Sequence, residues 1–110
     1  MAEVFKNASL VDVNNASADT LYTAPAATTS IVLGVAIANK SANTVGLTLS
    51  FTDTSAGTTT QMIPTVQIPG NTTLEVLAGQ KYILETGDVM TAQSDTASSI
   101  DITMGVLELT

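Results

Sequence analysis

The chain has no cysteine, histidine, tryptophan or arginine, and among 110 residues it has only three lysines, three prolines, two tyrosines and two phenylalanines. Without cysteine there is no disulfide and no thiolate zinc site, so packing within the chain or against neighbouring subunits has to supply the stability. A cytoplasmic place of synthesis fits that composition. Histidine is the usual proton shuttle near neutral pH, cysteine the strongest side-chain nucleophile and arginine the bidentate phosphate clamp. Their absence closes most routes to catalysis, and the chain reads as a non-enzyme with no cofactor. The opening Met1-Ala-Glu-Val-Phe-Lys6 has an early acid and no long apolar run, which predicts neither a secretory signal nor a membrane span.

Positive charge is the other scarcity. Ten acids face three lysines, for a net charge of -7 and a pI near 4.1. Binding a nucleic-acid backbone needs clustered Lys and Arg to drive counterion release, so nucleic acid is excluded as a partner, and anionic membranes by the same argument. Charged residues are only 12% of the chain, and mean hydropathy is positive. A small domain keeps a large share of its surface in water, so this balance points to apolar surface covered by further copies or by a partner.

What is abundant is threonine, with valine, isoleucine and leucine, the side chains that pack well on a pleated surface. In Val45-Gly-Leu47-Thr-Leu49-Ser-Phe51-Thr-Asp53 the apolar residues alternate with small polar ones, as in a half-buried antiparallel strand. Ser30 to Asn39 is apolar at both parities, with Ile31, Leu33, Val35 and Ile37 on one side and Val32, Gly34, Ala36 and Ala38 on the other. It reads as a central strand covered on both faces, the second by another subunit. The polar stretch from Asn39 to Thr44 predicts a hairpin between these two strands. Pro64 cannot donate to a ladder, so Gln61 to Ile68 is expected at a sheet edge or around a bulge. Pro69-Gly70-Asn71 marks a turn before a strand at Thr72 to Val76. A short strand within Ala78 to Glu85 ends in a Gly87-Asp88 turn, and Val89 to Gln93 is a further strand. Near Val106 the apolar phase of the last segment changes parity, through a bulge or through a strand apolar on both faces. Val4 to Val13 and Ala18 to Tyr22 supply the first strands, and Ala24 to Thr29 a loop between sheets.

These eight or nine short strands, about ten residues apart and with no credible helix, predict a single all-β domain over 1–110. The architecture is an antiparallel two-sheet β-sandwich, with a jelly-roll arrangement among the options. Residues 1–13 form either an arm or the first strand.

Candidate chemistry is sparse. Asp12, Asn14, Asn15, Ser17 and Asp19 gather oxygens that could suit calcium. The EF-hand pattern is not met, since Gly is absent from the sixth position and Thr23 stands where the bidentate Glu belongs, so the stretch reads as a polar turn. Asp53, Asp88, Asp95 and Asp101 could pair for acid–base work, but three of them fall in predicted turns, where Asp serves the backbone. The sequons at Asn7, Asn15, Asn39 and Asn71 follow from a Thr- and Ser-rich composition.

Leu21-Tyr-Thr-Ala-Pro25, Ile31 to Asn39, Tyr82-Ile-Leu-Glu-Thr-Gly-Asp88, Ser94-Asp95 and the closing Val106-Leu-Glu-Leu109 together resemble small virion structural proteins of tailed phages, particularly those of aquatic bacteria. The likeness covers most of the chain and consists of strand and turn motifs, with no catalytic signature and no site residue to carry over. It implies a β-sandwich that studs the capsid as a decoration or cement protein, with the major capsid protein or other virion proteins, and further copies of itself, as partners. The implied location is the outer capsid surface. Alternatives are a neck or tail component of the virion, and a glycan-binding or adhesive sandwich. For contacts the residues named are Val4 and Phe5, placed to reach a neighbour's sheet edge, and Met62 and Pro64 on the interrupted strand.

Overall fold

The computed structural model describes residues 2–76 and 81–110. Its strands are β1 (Glu3–Leu10), β2 (Asp19–Thr23), β3 (Thr29–Asn39), β4 (Val45–Asp53), β5 (Thr58–Ile68), β6 (Thr72–Glu75), β7 (Tyr82–Leu84), β8 (Val89–Ser94) and β9 (Ile100–Leu109). They form two sheets. The first has the order β1-β9-β3-β6, with β7 also on β3, and the second the order β2-β8-β4-β5. Every pairing is antiparallel.

β6 and β7 share one edge of β3. β6 pairs Ala36 to Asn39 and β7 pairs Ser30 to Val32, so the two act as halves of one strand position. Counted that way there are eight positions, and apart from the β4–β5 hairpin every connection crosses between the sheets, as two interleaved Greek keys do. This is the jelly-roll order, and the all-β two-sheet sandwich expected from the alternation is what the chain forms. The expected strand within Ala78 to Glu85 is present as β7, while residues 77–80 lie outside the described residues.

The core fills the space between the sheets. Val32, Val35, Ile37, Met104, Ile102 and Val106 from the first sheet meet Leu47, Leu49, Met90 and Ile68 from the second, all almost fully buried. These positions alternate with exposed or half-buried ones along each strand, the period-two consequence of the pleat.

Two sequence expectations are corrected. β3 and β4 do not form a hairpin, because they belong to different sheets. The polar stretch between them is a corner held by buried Asn39, whose Nδ2 donates to the carbonyls of Asn43 and Ile68, both at 2.8 Å, while its Oδ1 accepts from Ser41. A short polar segment carries no signal that tells a hairpin from a corner. The parity read for β3 also changes midway. A bulge between Val32 and Gly34 inserts Leu33, so Val32 joins Val35 and Ile37 in the core, and Ile31, Leu33, Gly34, Ala36 and Ala38 face outward. The change of apolar phase near Val106 resolves as the second of its two expected readings, a strand apolar on both faces. That strand alternates without interruption, with Ile100, Ile102, Met104, Val106 and Glu108 inward, which leaves Leu107 and Leu109 on the outer face.

The turns follow their residue types. Gly57 has φ +72 in the β4–β5 hairpin, where its N–H reaches the Asp53 carbonyl at 2.8 Å. Gly70 is demanded by crowding, since a Cβ there would stand 2.4 Å from the Ala42 carbonyl oxygen.

Candidate assembly surface

The two sheets present very different outer faces. On the second sheet, β4 turns Thr48, Ser50 and Thr52 outward while Val45, Leu47 and Leu49 are buried. Thr48 shares a hydrogen bond with Thr65 and Thr52 with Thr59, each at 3.1 Å. Thr91 and Gln93 continue the hydroxyl and amide surface on β8. A threonine-rich strand thus buries its apolar neighbours and leaves a hydrated face, which also holds a shallow polar hollow of about 430 Å³.

The first sheet does the opposite. Among the described residues the large apolar side chains left exposed are Val4, Phe5, Val11, Leu33, Tyr82 and Ile83. All lie on strands of the first sheet or, for Val11, just past the end of β1. The register sets Phe5 opposite Leu107, Leu107 opposite Ile31, and Ile31 opposite Ile83. Because paired residues share a face, these four make one apolar row across all four strand positions. Its ends are the most open, with Phe5 73% and Ile83 60% exposed.

Beside that row the surface drops. Gly105 pairs with Gly34, and a Cβ added at either would have no atom within 4 Å. Beyond the glycines, Ala36, Ala38 and Thr103 floor a groove of about 420 Å³ walled by Val11 and Thr73. The outer face is thus an apolar ridge followed by a trough of small residues.

The four residues singled out from the sequence fall at two separate places. Val4 and Phe5 sit on β1, which pairs with β9 along its whole length and so is an integral edge strand rather than a free arm. Phe5 faces outward at the end of the ridge. Val4 faces the other side, opposite Glu108. Met62 and Pro64 lie on β5, the edge of the second sheet, where the register shifts twice against β4. Both are extra residues left out of the ladder there, as the proline predicted. Pro64 is exposed, and Met62 is half-buried against the core. β1 adjoins β2 and β5 adjoins β6, so the two pairs occupy opposite sides of the sandwich and are not brought together. Sequence reasoning missed Ile83, Leu33 and the glycine pair. The signal for Ile31 and Leu107 was present in strands apolar at both parities, but their shared row depends on register.

The ionisable groups serve the fold. Asp88 is buried and accepts from the backbone N–H of Thr54 at 3.1 Å and of Glu85 at 2.9 Å. Asp53 accepts from Ala56 N–H and the Ser55 hydroxyl, which hold its carboxyl below the ordinary range. Asp101 is lowered likewise, first by Asp12 N–H and then by the Lys40 ammonium. Asp95 accepts from the Thr96 hydroxyl. In the oxygen-rich loop, Asn14 Oδ1 and Asp19 Oδ2 turn to the backbone N–H groups of Ala16 and Asn14, which is the polar-turn arrangement. Among the described residues no three acids stand together as a metal would need.

No protein-family model matches this sequence, and no curated protein does. A solved chain of the Bacillus endospore appendages, which are disulfide-linked pili, superposes with a TM-score of 0.56 at 12% identity, over 98% of this chain and 88% of that one. A chain from infectious bursal disease virus, Gx strain, gives 0.47 at 11% identity over 98% of this chain and 33% of its own. One from the virus-like particle of Macrobrachium rosenbergii extra small virus gives 0.42 at 13%, over 98% and 80%. The appendage chain bears on the fold alone, and the two viral scores are too low to carry an argument. What the fold and the surface define together is the class: a jelly-roll sandwich with one hydrated and one apolar outer face.

Proposed function

We propose that this protein is a non-enzymatic structural subunit of a virion, acting as a decoration or cement protein on the outer shell of a tailed phage. The observation that carries the reading is the asymmetry of the two sheets. Among the described residues Phe5, Val11, Leu33 and Ile83 open onto the outer face of the first sheet, and a protein with such a face works with it covered, since soluble monomers rarely leave such patches open. The jelly roll is a fold of viral capsid domains as well as of lectins and cupins, so fold by itself does not select the role. The resemblance of the strand and turn motifs to phage virion proteins favours the virion. Assembly of the appendage type through disulfides is closed to this chain, which has no cysteine.

In this role many copies bind at symmetry-related junctions of the shell. Higher affinity for the mature shell than for its alternatives then stabilises it by mass action. The edge at Met62 and Pro64, where β5 leaves the ladder, is the contact assigned to the major capsid protein; Phe5 belongs to the apolar face and Val4, beside it on β1, to the sheet edge. A glycan platform is less favoured, because the exposed rings of Phe5 and Tyr82 stand on opposite edges of the first sheet, three strand spacings or about 14 Å apart.

Quantitative mass spectrometry of density-purified particles tests the proposal. A simple lattice ratio of this chain to the major capsid protein is the expected result. A handful of copies per particle would move the subunit to the neck or tail, and absence from the particle would overturn the virion reading.

A further inference from the structure

We infer that the outer face of the first sheet is a self-association surface, closed by a second copy of this chain in a two-fold, face-to-face dimer. The inference deepens the assembly reading above by naming what covers the apolar face.

Two features select a second copy, and a third sets its response to salt. The first is self-complementarity. The ridge of Phe5, Leu107, Ile31 and Ile83 lies one pleat to one side of the paired glycines Gly34 and Gly105. The row that includes Thr103 and Ala36, flooring the groove, lies one pleat to the other side. A two-fold axis crossing the strands at the glycine pair therefore places each copy's ridge over the other copy's trough, with Leu107 above the partner's Thr103 and Ile31 above the partner's Ala36. Two-fold interfaces have this isologous form, in which one patch meets itself. At the axis Gly105 and Gly34 put no Cβ between the sheets and have open space above them, while Asn7, paired with Gly105 on β1, faces its own counterpart at the sheet edge.

The second feature is area. Four strand positions about 4.8 Å apart, eight to eleven residues long in β1, β9 and β3, make a face of roughly 600 Å² at about 3.3 Å per residue. Two such faces cover about 1,200 Å², the lower bound for a specific, stable interface.

The third is charge. Each copy carries -7, and acids stand around this face, with Glu75 opposite Ala36 at the end of the Thr103 row, Glu3 opposite Leu109 and Asp101 opposite Ala38, so closing it brings carboxylates of the two copies together at the rim. Their repulsion is screened by salt. Association accordingly strengthens as salt rises, the reverse of an interface held by ion pairs.

Sedimentation equilibrium of the purified full-length protein, run from micromolar to near-millimolar concentration, is the test. The wild type is expected to be a dimer that tightens with added salt. Phe5→Glu removes a ridge end, and Gly105→Glu puts a charge on the axis. Each is expected to weaken the dimer by roughly a hundred-fold or more. Gly105→Glu keeps its fold, read by circular dichroism, because nothing lies within 4 Å of the new Cβ. It therefore carries the test even if Phe5→Glu misfolds. Thr91→Glu, on the outer face of the second sheet, is expected to leave the dimer unchanged.

A wild type monomeric throughout, a closed trimer, a dimer indifferent to Gly105→Glu, or one equally broken by Thr91→Glu would each overturn the inference. The measurement uses isolated protein, so its failure is separable from failure of the virion reading, which particle composition decides.

Discussion

The Tyr22 hydroxyl, on β2 of the second sheet, donates to Oε2 of Glu108, on β9 of the first, at 2.5 Å. Tyr22 has a single hydroxyl proton, so the 2.7 Å contact with Ser30 has the serine donating to the phenol oxygen. Lys6 Nζ completes the cluster 3.2 Å from Glu108 Oε1. The one acid in an inward position of β9 is thereby satisfied, and it bridges the two sheets.

This cluster makes stability depend on pH. The hydrogen bond from Tyr22, ahead of the Lys6 ammonium, holds the Glu108 carboxyl below its ordinary value against the opposing effect of burial. A carboxyl lowered in the folded state stabilises the fold above its unfolded value, about 4.3, and that contribution is lost as pH falls through the folded value. Tyr22→Phe is expected to cost about 1 kcal/mol near neutral pH and to shrink the loss of stability between neutral and acid pH. Urea unfolding of both proteins across that range measures it; equal acid sensitivity would rule the cluster out as the cause.

The same phenol has an alkaline signature. Burial, then the hydrogen bond to Glu108, pushes Tyr22 up to about 12. A raised folded value means its stabilisation is complete below about pH 10, the ordinary phenol value, and is lost as pH rises through about 12. Ultraviolet titration is expected to show one phenol ionising near the upper limit, and Tyr22→Phe to delete that step.

The corner between β3 and β4 rests on Asn39. Replacing it with Ala removes two donated bonds and leaves the Ile68 carbonyl without this donor. The expected loss is about 2–3 kcal/mol, from the penalty on unsatisfied buried groups, read as a lower denaturation midpoint at unchanged slope. A loss below half a kcal/mol would mean that the corner is held by other contacts.

Two glycines should respond in opposite directions. Gly70→Ala drives a Cβ to 2.4 Å from the Ala42 backbone and is expected to destabilise by about 1–3 kcal/mol. Gly34→Ala meets nothing within 4 Å and is expected to be neutral or stabilising by up to about 1 kcal/mol. Thermal unfolding of the pair checks both, and a Gly70→Ala protein as stable as the parent would refute the crowding at that turn.

How much of this was legible beforehand is seen in β3, β5 and β9. The alternation of Val45 to Asp53 and the absence of any helical period located the strands and the class of fold. Pro64 marked an interrupted edge strand, because its missing N–H acts wherever the strand lies. The hairpin expected after Asn39 failed because a polar turn states only that the chain changes direction, whereas the sheet it enters depends on distant partners such as Ile68. The surface was legible only in fragments. β3 and β9 declared themselves apolar at both parities, but the row of Phe5, Leu107, Ile31 and Ile83 unites residues from four strands, and only pairing register brings them level.

The sequence by itself determined what is local or compositional. Its missing cysteine removed disulfides and its period-two pattern of Thr, Val, Ile and Leu required sheets, because each of these acts through the residue and its immediate neighbours. Tertiary structure alone decided the jelly-roll strand order, the bulge at Leu33 that sends half of β3 to the other face, and the gathering of exposed apolar residues on one sheet. Those follow from long-range pairing, in which a one-residue change of register exchanges inside for outside.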